Sequence, residues 1–229
     1  IEGENVASTS LKILQDLNDF IGLDVMEQKK DIIVLKNFSS YDTETSLYSL
    51  LKKMDVGIRN IFDIIRIFYS KSFHEEDVLE LSLQHEYNGR VYLFALKLIN
   101  SILDSPQLMR VFKIDYRQLT KEHIMINSLK QISSYFNQIG KLLLFIEKKD
   151  SHIIKEIIET IDNKYRTIIT MPKSSLSREL LLTLHESKRY SNKLESALKR
   201  IKNPSLVEIV SYSLAVNALL DQLAIEIMV

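Results

Sequence analysis

The side chains able to do acid–base, metal or nucleophilic chemistry in this 229-residue sequence are 30 carboxylates, five histidines and the hydroxyls; there is no cysteine. No thiolate chemistry and no disulfide framework is therefore available. Three places draw attention: His85-Glu86, His123 and His185-Glu186. Neighbouring residues on a helix point about 100° apart, so neither His-Glu pair converges on one ion. No two histidines share the i, i+4 spacing of a helical metal site. Glu75-Glu76 falls at an expected helix start, where it complements the macrodipole. The sequence has no phosphate-cradling P-loop and no G-x-S-x-G turn. No nucleophile can be paired with a base and an orienting group. The expectation is a protein that is not an enzyme, with no catalytic residue, no cofactor and no metal ligand assigned.

The positioning elements are helices. Leu47, Leu51, Met54, Ile58, Ile61, Ile65 and Phe68 recur in alternating steps of four and three. Leu79, Leu83, Tyr87, Val91, Phe94, Leu98 and Ile102 make a second such stripe, and Met125, Leu129, Ile132, Phe136, Ile139, Leu143 and Ile146 a third. That spacing puts each set on one face of a helix, and such faces bury against other helices. Phe94 and Phe136, in mid-stripe, are expected to be buried. Asp115, three residues before Gln118, reads as the cap of the third helix. Further helices are expected over His152–Thr170, Ser175–Ile201 and from Asn203-Pro204 to Met228, with Met171-Pro172 as a break. Before Ser40 the pattern changes. Leu11–Ile21 reads as a short helix, and Leu23–Gln28 with Asp31–Phe38 as a hairpin.

Lys plus Arg equals Asp plus Glu, at 30 each. A nucleic-acid surface needs a basic excess, so none is expected through this fragment. No uninterrupted run of about 18 apolar residues is seen, so no membrane insertion is expected. Only five Gly and three Pro are present, which favours long helices.

These residues resemble the archaeal branch of the PhoU family of phosphate-uptake regulators. FIGLDVMEQKKDIIVLKNF (20–38) is similar to its connecting segment. RVYLFALKLINSILDSPQLMRVFKID (90–115) and INSLKQISSYFNQIGKLL (126–143) are similar to its helical motifs, and YSLAVNALLDQLAIEIMV (212–229) to its last helix. The resemblance implies an all-α core of two tandem antiparallel three-helix bundles behind a small α+β N-terminal segment. The expected divisions are 1–39, 40–150 and 151–229. It also implies a cytoplasmic regulator that meets a protein partner, a transporter ATPase subunit or a signalling kinase, with a homodimer plausible from the long apolar helices. The alternative is a DNA-binding transcription regulator whose AbrB-like part precedes Ile1, with the helical part dimerising or sensing.

The family often holds metal ions with carboxylates four apart on facing helices. Here those positions read His85 or Glu86 then Gly89, and Lys130, Ser134 and Tyr135. Lys130 is repulsive to a cation, by roughly 4 kcal/mol for unit charges about 4 Å apart at an effective dielectric of 20. The metal site is therefore not carried over. Three helices turn polar at mid-length, and Glu86, Arg90, Lys130, Gln131, Glu186 and Arg189 are candidates for a partner-binding polar belt in its place.

Overall fold

A computed structural model describes residues 23–28, 33–37, 46–70, 73–170, 176–199 and 201–228. Leu23–Gln28 (β1) and Ile33–Asn37 (β2) pair antiparallel, with an irregularity between Val25 and Glu27. The expected helix over Leu11–Ile21 lies outside the described residues. The other described elements are helices: α1 (Leu47–Ser70), α2 (Glu75–Asp104), α3 (Pro106–Phe112), α4 (Tyr116–Leu143), α5 (Ser151–Thr170), α6 (Leu176–Leu198) and α7 (Pro204–Met228). A 3-10 turn at Lys148–Asp150 leads into α5.

Local chemistry sets the helix ends. Ser46 and Ser49 cap α1 reciprocally, each backbone N–H donating to the other's hydroxyl at 3.1–3.2 Å. Asp77 accepts from the His74 N–H (2.7 Å) at the start of α2. Asp115 accepts from the Gln118 N–H (2.7 Å), the cap read from the sequence. Asn203 accepts from the N–H groups of Ser205 and Leu206, with Pro204 as the first residue of α7. The segment after Asp104 forms a short helix of its own, capped by Ser105 and closed by Lys113 in the left-handed region at φ 50°.

The stripes on α1 and α4 are buried almost throughout. On α2 the inward face is rotated from the one expected. Leu79 is exposed and Phe94 is only half-buried, whereas Leu81, Asn88, Val91, Ala95, Leu98, Ile99 and Ile102 face inward. Glycines explain the shift. A Cβ on Gly57 of α1 would meet Asn88 Oδ1 at 2.1 Å, and one on Gly140 of α4 would meet Leu81 Cδ1 at 2.6 Å. α2 therefore approaches both helices closely at these glycines, with Asn88 against α1 and Leu81 against α4.

α1, α2 and α4 pack mutually, while α5 and α6 both pack on α7. The two groups join through α4 against α7, the most extensive helix contact, and through α1 against α5. One apolar core runs through both groups. Phe62 of α1 sits edge-on to Phe136 of α4 (centroids 4.6 Å apart) and tilted against Tyr165 of α5 (5.7 Å), so three rings tie the groups together. α7 meets the length and hydropathy of a bilayer-crossing helix: an 18-residue window averages a hydropathy of 1.3 with at most two charges. Here α4, α5 and α6 all pack on it, and Lys121 Nζ of α4 donates to the Ile227 carbonyl near its end (3.2 Å).

Candidate functional site

α5 is read as an apolar stripe of Ile154, Ile158, Ile161, Tyr165 and Ile168, all buried. Two charged residues fall on the same side of that helix: Asp162, four after Ile158, and Lys164, three after Ile161. Both are buried with it. Burying a charge without compensation is expensive, so each must carry its partners inward.

Lys164 does so with residues from two helices. Its ammonium donates to Ser187 Oγ (2.7 Å), Asn217 Oδ1 (2.6 Å), the Asn217 carbonyl (3.0 Å) and Asp221 Oδ1 (2.7 Å). Ser187 in turn donates to Asp221 Oδ2 (2.8 Å), and Asn217 Nδ2 donates to Ser187 Oγ and Ser191 Oγ (both 2.9 Å). Three ammonium protons face four oxygens, so this centre is saturated from within. Burial pulls the Lys164 amine below its usual range, and the Asp221 carboxylate opposes that.

Asp162, fully buried, forms the other centre. It accepts from Arg66 of α1 and from Arg166 Nε of its own helix (2.8 Å). One turn away, the Tyr165 hydroxyl donates to Asp55 of α1 (2.7 Å), which also holds Arg59 (2.9 Å). Burial, with Asp55 alongside, pushes the Tyr165 phenol far above its usual value. The α1–α5 joint thus carries an ion pair and a phenol–carboxylate hydrogen bond beside the Phe62–Tyr165 contact.

Although α5 and α6 both lean on α7, their described backbones stay apart from each other. The gap is a groove. At one end it is a cleft of about 850 Å³ walled by Ile153, Ile157, Leu194, Ile201 and Leu206. Further along it narrows to a polar hollow of about 290 Å³ lined by Thr160, Asn163, Thr183 and the Lys164 centre. Tyr190 lines both parts. Side chains cross the gap: Lys193 to Glu156, the Tyr190 hydroxyl to the Ile157 carbonyl (3.5 Å) and to Thr160, and Lys164 to Ser187.

No known family, curated protein or solved structure matches this chain.

The six belt residues separate into two sets. Glu186 and Arg189 are exposed on α6 and line a shallow hollow with Tyr190 and Lys193 at the groove mouth. Glu86, Arg90, Lys130 and Gln131 belong to α2 and α4, with Glu86 and Gln131 exposed and Arg90 and Lys130 half-buried. No described interaction joins the two sets. At the α2–α4 seam Lys130 Nζ lies 3.4 Å from His85 Nε2 and 3.3 Å from Ser134 Oγ, and His85 Nδ1 lies 3.2 Å from Ser133 Oγ. Asn88 Nδ2 donates to the same Ser133 oxygen (3.2 Å). Burial first, then the charges of Lys130 and Lys141, lower the His85 pKa to about 4. His185 is exposed, and His123 is half-buried. Among the described residues no three of His, Cys, Asp or Glu gather as a metal cluster.

Sequence reasoning missed Lys164, Ser187, Asn217, Asp221 and Asp162. The signal for two of them was present: Asp162 and Lys164 interrupt an isoleucine stripe on its apolar side. Ser187, Asn217 and Asp221 carry no such signal, because a small polar residue on a helix is ordinary until its partner is known.

Proposed function

We propose that this chain is a non-enzymatic regulator of phosphate uptake of the PhoU kind. In this reading residues 40–150 and 151–229 are tandem three-helix bundles behind a small α+β segment over 1–39. It acts in the cytoplasm, as a homodimer, by binding a transporter ATPase subunit or a signalling kinase. The observation that carries the reading is the groove between α5 and α6. It is long, apolar at one end, and rimmed by charges of both signs from Glu156, Lys193, Lys149 and Lys202. A helix or loop of another protein that inserted there would bury apolar surface in its centre and meet charges at its rim, as protein interfaces do. Beside it, the Lys164 amine has every proton engaged by Ser187, Asn217 and Asp221.

The test is affinity purification of the full chain from its native host, with and without phosphate, followed by mass spectrometry. The expected result is a transporter ATPase subunit or a kinase whose recovery changes with phosphate and falls in Lys193→Glu. That side chain is exposed, so the fold is kept. Recovery of neither class, or recovery indifferent to both phosphate and Lys193, overturns the proposal.

A further inference from the structure

Among the described residues, burial works against the charges of Arg59, Arg66 and Lys164, and each faces a carboxylate: Arg59 has Asp55, Arg66 has Asp162 and Asp63, and Lys164 has Asp221. Lys130 differs from these three. Burial lowers its pKa, and no acid offsets that. Its two polar partners, His85 and Ser134, are neutral. No carboxylate among the described residues lies within ion-pair distance of it. An ammonium has three protons. Two are directed at His85 Nε2 and Ser134 Oγ, and the third has no acceptor among the described residues. Beside it, a Cβ built on Gly89 would find only Lys130 Cε, at 4.0 Å, so the surface over Gly89 is open.

We propose that Lys130 and His85, over the gap left by Gly89, form a binding site for a small tetrahedral oxyanion such as phosphate or sulfate. The site lies on the α2–α4 seam and does not depend on the α5–α6 groove. The anion supplies the charge that Lys130 lacks and accepts N–H groups from it. Lys141, exposed and about three turns further along α4, adds to the positive potential already felt at His85. When Lys130 turns to the anion, His85 Nε2 loses its donor and can take a proton. Nδ1–H then remains on Ser133 Oγ while Nε2–H meets an anion oxygen. The charged groups that act on the ring are Lys130 and Lys141 on α4; on its own helix Glu86 is the next residue and Arg90 follows five residues on. An added anion shifts the balance toward imidazolium, so binding takes up a proton and raises the His85 pKa.

The experiment follows the His85 ring resonances of the full chain by NMR. Sodium phosphate, sulfate or acetate is titrated against chloride at constant ionic strength. Saturable shifts with phosphate and sulfate, and a His85 pKa that climbs from about 4 on addition, are expected, with acetate weaker. Lys130→Met should weaken phosphate binding about tenfold or more, the value of one hydrogen bond to a charged group, and Lys130→Arg should restore it. Gly89→Glu places an internal carboxylate beside Lys130 and should abolish binding in a folded chain, since it also replaces a helical glycine. Shifts that stay linear in phosphate, a His85 pKa that does not move, or unchanged binding in Lys130→Met or Gly89→Glu overturns the proposal. A response to acetate alone also overturns it, in favour of a partner's carboxylate as the natural occupant.

Discussion

Replacing Lys164 with methionine keeps the stem and removes the charge. The Asp221 carboxylate then stands beside an apolar side chain, Asn217 loses the donor to both of its oxygens, and Ser187 keeps only Asn217 as a donor. Removing one partner of a buried ion pair costs about 3–5 kcal/mol. The Asp221 side chain retains 32% of its exposure, so water recovers part of its solvation. The lower end of that range, about 3 kcal/mol, is the expected loss. Urea unfolding measures it as a shift in midpoint at constant slope. The companion variant decides the cause. In Lys164→Met/Asp221→Leu the orphaned charge is gone as well, and stability should return to within about 1 kcal/mol of the parent. A loss below about 1 kcal/mol in the single variant, or a double variant no more stable than the single, refutes a charge balance held inside α5, α6 and α7.

His85 is held near pKa 4 in the fold against 6.5 unfolded, so the unfolded chain binds more protons between those values. Stability should fall as pH drops from 6.5 to about 4, and His85→Gln should flatten that arm of a stability–pH profile. Phe136→Ala empties a site packed on Phe62 and should cost about 3–5 kcal/mol, whereas Phe94→Ala, half-buried, should cost about half that, both read by denaturant unfolding. Tyr165→Phe leaves the ring in place and takes one donor from Asp55, which keeps Arg59; about 1–2 kcal/mol is expected, and a neutral result would mean that the hydroxyl contributes nothing to the α1–α5 joint.

The helices were legible because the inward faces of α1 and α4 carry large apolar residues at unbroken helical spacing. The cap at Asp115 and the helix start at Asn203-Pro204 were legible because those residues act within a few positions of themselves. The inward face of α2 was not. Its contact residues include Asn88, and two of its closest approaches are made by Gly57 and Gly140 on other helices, so the information lies in three segments at once. The Lys164 centre was hidden for the same reason: Ser187, Asn217 and Asp221 acquire meaning only when α6 and α7 are placed against α5. The belt was drawn from polarity along single helices. It placed Lys130 at a polar seam, but polarity along a helix does not say which helices face each other, and Glu186 and Arg189 belong to a different groove.

The central claim is that the α5–α6 groove receives a protein partner. A photo-crosslinking residue at position 193, with an otherwise identical chain carrying it at exposed position 52, tests this in the native host under high and low phosphate. The expected result is an adduct from position 193 alone, with a transporter ATPase subunit or a kinase, its yield changing with phosphate. Equal adducts from both positions, or no such adduct from position 193 in either condition, would contradict it.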